Sequence, residues 1–151
     1  MILNFSKVRS DVVVPTRANP SDAGLDFYYC PEEEKTVILR SGETALFATG
    51  IRMEIPHGYY LEIKNRSGNA YKRQLLVGAC VVDSGYSGEI FVNLHNVGQN
   101  IQRVEPGMKI AQGVLLQSAH IRLNEVEESD LYQDNITISN RGEGALGSTG
   151  V

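Results

Sequence analysis

An arginine beside a helix-capping residue forms the first candidate site. In the tripeptide Arg66-Ser67-Gly68, the arginine precedes the start of a short predicted helix. Ser67 is a good N-cap residue, and the free N–H groups of a first helical turn attract anions beside the Arg66 guanidinium. These residues could therefore bind a phosphate group, although helix capping alone explains the same tripeptide equally well.

A carboxylate in a glycine-flanked bend forms the second candidate site. An apolar strand at residues 81–82 leads to Asp83, and Tyr86 follows between two glycines. A positioned carboxylate can act as a general base. An aspartate in a turn more often makes local hydrogen bonds, so the catalytic interpretation depends on support from the other segments.

Two carboxylates that flank a glycine form the third candidate site. Asp22 and Asp26 lie on either side of Gly24 and could hold a divalent ion through water. Aspartate and glycine are also the ordinary residues of loops. By itself this segment predicts little.

The segment 140–150 is rich in glycine and has almost no apolar residues. Such a composition predicts a mobile arm unless a ligand binds it. The spacing of its glycines imitates a P-loop, but Ser148 stands where that motif requires lysine, which excludes a P-loop. Arg141, two hydroxyls and freed backbone N–H groups suit a flap that closes over phosphates.

The chain is acidic overall, so a site that binds an anion needs its positive charges close together in one place. The chain has 151 residues, with 14 Lys and Arg against 18 Asp and Glu, a net charge of −4. Such a chain does not coat nucleic acid by bulk charge. No stretch approaches the roughly 18 to 20 apolar residues that cross a bilayer, and no secretory signal is recognisable. We expect a soluble, cytoplasmic protein with neither a nucleic acid nor a membrane as partner.

The histidines and cysteines indicate neither a zinc site nor a disulfide framework. Cys30 and Cys80 lie far apart and form no CxxC pair. His57, His95 and His120 are expected to be isolated from one another and to have structural or surface roles.

The elements that must position these residues are short strands. Period-two runs separated by turn residues predict an all-β sandwich, barrel or jelly roll. One short helix is expected from Ser67 to Arg73. The predicted strands are 36–39, 43–47, 51–55, 59–63, 89–95, 110–116 and 120–126.

Taken together and in this order, the segments resemble the trimeric dUTPases. The resemblance implies an all-β, distorted jelly-roll or β-clip barrel fold at residues 1–135, with a flexible arm at 136–151. It implies a homotrimer with active sites at subunit interfaces, which hydrolyses dUTP to dUMP and pyrophosphate with Mg²⁺. Such an enzyme keeps uracil out of DNA and supplies dUMP for dTMP synthesis. The five matching motifs are 23–26, 66–68, 77–88, 107–112 and 141–150.

The resemblance also implies residue roles. Asp83 would activate the water that attacks the α-phosphorus, Tyr86 would pack under the deoxyribose, and Asp26 would hold Mg²⁺ through water. The arm of a neighbouring subunit would close over the γ-phosphate. The implied substrate-binding residues are Arg66, Ser67, Gly68, Val77, Gly78, Cys80, Tyr86, Gln112, Arg141, Leu146, Gly147, Ser148 and Thr149.

The chain departs from the family pattern at several positions. Leu146 replaces the usual phenylalanine, so the arm can cover uracil but cannot stack on it. Met108 replaces an aspartate and removes any ion pair made there. Ala145 and Cys80 replace glycines, and Asn65 replaces a proline.

Two other functions stay open at this point. A dCTP deaminase has a similar fold and hairpin, but it needs a catalytic glutamate where this chain has Asn93. A dUTP-responsive regulatory binding protein would use nucleotide occupancy to present or withdraw its arm. The sequence argues against the deaminase and leaves a regulatory role undecided.

Overall fold

The computed structural model describes residues 1–131, which form short β-strands and one α-helix. A 3₁₀ turn follows at Glu128–Asp130. The elements in chain order are β1 Phe5–Lys7, β2 Leu25–Tyr28, β3 Val37–Leu39, β4 Thr44–Ala48, β5 Ile51–Met53, β6 Tyr59–Lys64, α1 Ser67–Arg73, β7 Leu75–Val77, β8 Val81–Asp83, β9 Phe91–Asn96, β10 Gln102–Val104 and β11 Lys109–Gln117.

All strand pairs are antiparallel, and they form four sheets among the described residues. The largest has the order β2-β11-β6-β8, and a second has the order β4-β9-β7. Two further pairs are β1-β5 and β10-β3. The described strands close no barrel, and they confirm the predicted all-β fold with one short helix.

The two larger sheets contribute to one core. Alternation along β9 buries Val92 and Leu94, and Phe47 of the neighbouring strand β4 is fully buried. Phe27 and Leu61 of the four-stranded sheet belong to the same apolar cluster. Burying one face of each sheet in this way leaves the opposite faces and the strand ends available for a site.

One predicted strand is wrong. Residues 120–126 form no strand, and their alternating apolar side chains are exposed, with Ile121 at 78% and Leu123 at 89%. Alternation stabilises a strand only when a neighbour pairs with it and a core covers one face. No described strand pairs with this segment.

The chain divides into two compact units, Met1–His120 and Ile121–Val151. The first contains every strand and α1, and the described part of the second contains the 3₁₀ turn. The predicted boundary between residues 135 and 136 lies outside the described residues. Within residues 1–131, no helix is long and apolar enough to span a membrane.

Candidate active site

A cavity of about 220 Å³ lies where β2, β11 and the start of α1 meet; we call it the α1 cavity. Antiparallel pairing of β2 with β11 places Asp26 opposite Gln112. The chain leaving β6 supplies the remaining groups. The structure thus brings together five of the predicted phosphate and metal residues, which are Asp26, Arg66, Ser67, Gly68 and Gln112.

Asp26 is held between two cations. Its Oδ1 accepts a hydrogen bond from Arg66 Nε and its Oδ2 contacts Lys109 Nζ, both at 2.8 Å. Burial alone would raise the pKa of Asp26, but the hydrogen bonds from Lys109 and Arg66 and their charges outweigh it, so the pKa lies below the ordinary value. Asp26 therefore stays ionised and orients both cations at the cavity.

The residues of the α1 cavity fit a magnesium ion only as a hydrated ion. Among residues 1–131, no group of three or more His, Cys, Asp or Glu side chains could hold a metal. Each oxygen of Asp26 already accepts one bond from a cation, and each has a second lone pair for a water. Mg²⁺ commonly keeps several waters and takes its direct ligands from substrate phosphates. Asp22 also lines the α1 cavity, and its Oδ2 accepts a hydrogen bond from the Asn19 backbone N–H at 2.9 Å.

Gln112 is engaged within the protein. Its Nε2 donates to the Asn65 carbonyl at 2.8 Å, which fixes the chain just before Arg66. Its Oε1 lies so close to Gly24 that a Cβ at that position would approach it to 2.3 Å. Glycine is therefore required at residue 24 for Gln112 to keep this position.

The helix α1 begins at Ser67 as predicted, but its N-cap is Arg66 and not Ser67. Ser67 is the first helical residue and Arg66 occupies the N-cap position, with no side-chain cap hydrogen bond. The prediction that Ser67 caps the helix is wrong. Its hydroxyl is consequently not consumed by capping, and the exposed Ser67 and Gly68 face the α1 cavity.

A second cavity, of about 230 Å³, lies beside the bend after β8; we call it the hairpin cavity. Three residues with predicted site roles, Asp83, Tyr86 and Cys80, line it together with apolar residues that include Leu46 and Phe91. Asp83 is exposed, and no described residue forms a hydrogen bond or ion pair with its carboxylate. Its oxygens are therefore available to accept a hydrogen bond from a water or a ligand.

Tyr86 is fixed by its hydroxyl group. The hydroxyl donates to the Glu89 carbonyl at 2.7 Å, and the Glu89 carboxylate accepts the Gly50 N–H at 2.7 Å. The ring lies over Gly88, where a Cβ would approach the hydroxyl oxygen to 2.5 Å. The shape of the bend and the position of the tyrosine therefore depend on each other.

Asn93 supports the strand that precedes Cys80. Its Nδ2 donates to Thr44 Oγ1 at 2.9 Å, so its Oδ1 faces the Ala79 N–H and His95 Nε2. His95 must therefore donate from Nε2. A Cβ at Gly78 would lie 2.2 Å from both the Asn93 and the His95 side chains. Asn93 carries no carboxylate and its amide is consumed by structural bonds, which is unlike a deaminase proton shuttle.

Two of the histidines are not isolated. The rings of His57 and His120 stack with centroids 4.4 Å apart and planes 5° from parallel. The Ser118 N–H donates to the Gly58 carbonyl at 2.8 Å, which ties the end of β11 to the turn before β6. The expectation of isolation is therefore wrong for this pair, while both residues are exposed as expected of surface histidines.

Some predicted residues are placed elsewhere or lie outside the described part. Val77 and Gly78 belong to the segment that leads to the hairpin cavity but do not line it. The arm residues outside residues 1–131 are Arg141, Ala145, Leu146, Gly147, Ser148 and Thr149.

The sequence interpretation assigned no site role to three residues that support the α1 cavity: Asn65, Asn69 and Lys109. Asn69 Nδ2 donates to the carbonyls of Lys109 and Ile110, at 3.0 and 3.1 Å, and so fastens α1 to β11. Asparagine is a poor helix former, so its presence inside a seven-residue helix could have indicated that its side chain makes a structural contact.

A family model described as dUTPase matches residues 10–150. The chain belongs to the dUTPase family. The deoxyuridine 5'-triphosphate nucleotidohydrolase of Clostridium acetobutylicum is 35% identical over 151 residues, covering 99% of this chain and 97% of the relative. The deoxyuridine 5'-triphosphate nucleotidohydrolase of Crocosphaera subtropica is 37% identical over 153 residues, and the match covers 100% of both chains.

Solved dUTPases share the fold. The dUTPase of Staphylococcus bacteriophage 80alpha, solved with dUPNHPP, has a TM-score of 0.83 at 26% identity and covers 99% of both chains. A variant dUTPase from phage phi11 of S. aureus, which revealed the coordination of a structural Mg(II) ion, has a TM-score of 0.75 at 24% identity, covering 85% of this chain and 98% of that chain. These neighbours have the jelly-roll fold, which confirms the predicted class for this dUTPase-family chain.

Proposed function

We propose that this chain hydrolyses dUTP to dUMP and pyrophosphate, with Asp83 as the general base. The observation that carries the proposal is the exposed carboxylate of Asp83, which has no partner among the described residues and lines the hairpin cavity beside Tyr86. The nucleotidohydrolase names of its relatives and the nucleotide analogue bound to the phage 80alpha enzyme support the same substrate.

In this reaction Asp83 takes a proton from a water molecule. The water oxygen bonds to the α-phosphorus while the bond from that phosphorus to the α,β-bridging oxygen breaks, and pyrophosphate leaves. Phosphoryl transfer of this kind needs little covalent chemistry from the protein. Alignment of the water and neutralisation of the phosphate charge supply the rate enhancement.

Base and sugar selection belong to the hairpin cavity. Backbone groups near Val77, Gly78 and Cys80 would bind uracil, in a space too narrow for a methyl group on C5. Tyr86 would pack under the deoxyribose. Because its hydroxyl is bonded to the Glu89 carbonyl, the ring is not free to move aside for a ribose 2′-hydroxyl.

The α1 cavity would bind the phosphate chain. Arg66, Ser67, Gly68 and Gln112 surround it, and Asp26 holds the Arg66 guanidinium in place. Asp26 would also accept hydrogen bonds from the waters of a Mg²⁺ ion. When bound, that ion supplies neutralisation of the negative charge on the phosphates.

We further propose a homotrimer whose active sites lie between subunits. No described residue lines both cavities of one chain. Leu46 and Phe91 are 67% and 45% exposed beside the hairpin cavity, as expected for apolar side chains that another copy covers. The arm of a neighbour would supply Arg141, Leu146, Gly147, Ser148 and Thr149 over the phosphates. Removal of dUTP by this enzyme would keep uracil out of DNA and supply dUMP for dTMP synthesis.

Replacement of the proposed base tests this assignment. We expect Asp83→Asn to lower kcat by about 10²- to 10⁴-fold, the usual worth of a positioned acid or base. Binding of a non-hydrolysable imido analogue of dUTP should be largely kept. Asp11→Asn is the matched control, because the Asp11 side chain is 71% exposed and pairs only with Arg9 at 3.4 Å among the described residues. Turnover by Asp83→Asn at the parent rate would refute the assignment.

A further inference from the structure

Asn65 joins two segments that the proposed reaction uses for different parts of the substrate. Its side-chain Oδ1 accepts the Val77 N–H at 2.6 Å. Its backbone carbonyl accepts Gln112 Nε2 at 2.8 Å. One residue therefore contacts the strand before the hairpin cavity and a side chain of the α1 cavity, and it directly precedes Arg66.

The position of β7 explains why this link is needed. β7 lies at the edge of the sheet β4-β9-β7 and pairs with β9 on one side only. The N–H of Val77 needs an acceptor beyond that sheet or a water molecule. Asn65 supplies the acceptor from the end of β6, which belongs to the other large sheet. The bond thus bridges the two sheets at the site.

We propose that Asn65 is a positioning residue that holds the phosphate-binding segment 66–68 and the base-binding segment 77–80 at a fixed separation. This inference rests on the proposed function of the two cavities. In the proposed trimer, whose active sites lie between subunits, these two segments of one chain would serve two neighbouring active sites, and Asn65 would fix one segment in each.

The link acts on binding more than on the chemical step. Asp83 is held independently, since β8 pairs with β6 with Asp83 opposite Tyr60. Loss of the Asn65 side chain leaves that pairing intact. It releases the start of the base-binding segment, and it leaves the segment before Arg66 held only by the bond from Gln112 to the Asn65 backbone carbonyl, which alanine retains. We therefore expect KM to change while kcat stays nearly constant.

Steady-state kinetics test this split. Asn65→Ala should raise KM for dUTP by about 3- to 10-fold, in line with the loss of one partly solvated hydrogen bond, with kcat within about twofold. Inhibition by dUMP and by pyrophosphate should both weaken. Asn100→Ala is the matched control, since Asn100 is exposed and its side chain makes no hydrogen bond among residues 1–131. Unchanged KM, or weakening for only one of the two products, would overturn the proposal.

Hydrogen exchange provides a readout that does not depend on activity. The Val77 amide should be protected in the parent protein and exchange faster in Asn65→Ala. The Ile63 amide, which donates to the Cys80 carbonyl at 2.7 Å, should keep its rate. Asn65→Asp retains an acceptor oxygen and should restore protection of Val77. If Asn65→Ala fails to fold, an unprotected Val77 amide in the parent protein still refutes the link.

The two proposals fail differently. If the parent protein does not hydrolyse dUTP but Val77 loses protection in Asn65→Ala, the proposed function is wrong. The hydrogen bond between Asn65 and Val77 is then confirmed, but its role in substrate binding is refuted. If the parent hydrolyses dUTP and Asn65→Ala matches it in KM, product inhibition and exchange, only the role of Asn65 is wrong.

Discussion

Replacing Asp26 with asparagine removes the negative charge that the structure places between Arg66 and Lys109. Both cations lie at 2.8 Å from its oxygens. Asparagine would keep the shape of the side chain, but its amide NH₂ would face one of the two cations. The Asp26→Asn variant therefore leaves two positive groups close together without a counter-charge.

The expected cost follows from the burial of the partners. A hydrogen bond to a charged group contributes about 1.5 to 3 kcal/mol when it is buried. The Asp26 side chain is 12% exposed and the Arg66 side chain 30%, so solvent screens part of this interaction. We expect a loss of about 1 kcal/mol in the free energy of unfolding from the Arg66 contact. Loss of the Lys109 contact acts in the same direction.

The loss should depend on pH in one direction. The pKa of Asp26 in the folded protein lies below its ordinary value of 3.8. Its contribution to stability is therefore complete above the ordinary pKa and disappears as the pH falls through the lowered value. The difference between the parent and Asp26→Asn should be constant from about pH 6 to 8 and should shrink below about pH 4.

Urea unfolding followed by circular dichroism, at one protein concentration, measures this difference. Glu105→Gln is the matched control, because its ion pair with Arg103 is longer, at 3.7 Å, with side chains 50% and 64% exposed. That variant should change stability by less than about 0.5 kcal/mol. If Asp26→Asn cost no more than Glu105→Gln, or if its cost grew as the pH fell below about 4, the account of Asp26 would be wrong.

Three further variants test other parts of the structure. Gly78→Ala should lower the free energy of unfolding by about 1 to 3 kcal/mol in urea titrations, because the added methyl group overlaps the Asn93 side chain at 2.2 Å. Met108→Asp should raise the melting temperature slightly, by the equivalent of about 0.5 kcal/mol. In the parent protein Arg73 Nη1 contacts the Met108 sulfur at 3.7 Å, and in the variant it would contact a carboxylate instead. High salt should abolish this stabilisation. Asn69→Ala should cost about 1 to 2 kcal/mol in thermal unfolding despite its better helix propensity, since two carbonyls of β11 lose their amide donor.

The longer strands could be predicted because each buries one face and so shows period two in the sequence. β4, β6, β9 and β11 all overlap their predicted ranges. β1 is three residues long and exposed throughout, so no alternation marks it. The segment 120–126 shows the opposite error, since it alternates without a partner strand. Pairing is a long-range property that local patterning does not contain.

The residue types of the site could likewise be predicted, but their partners could not. The motifs identified Asp26, Arg66 and Gln112 as residues of one site, and the α1 cavity contains all three. That Asp26 would bind two cations depends on the register of β2 against β11 and on where α1 begins. The bond from Val77 to Asn65 depends on the approach of two different sheets. Both arise only when the chain is folded.

The nucleotide specificity of the purified protein tests the central claim most directly. The protein would be incubated with Mg²⁺ and, separately, with dUTP, dCTP, dTTP and UTP, and the products would be separated by chromatography beside a pyrophosphate assay. The account predicts dUMP and pyrophosphate from dUTP, with the other three nucleotides left essentially intact. Deamination of dCTP, equal hydrolysis of UTP or dTTP, or no turnover of dUTP would contradict it.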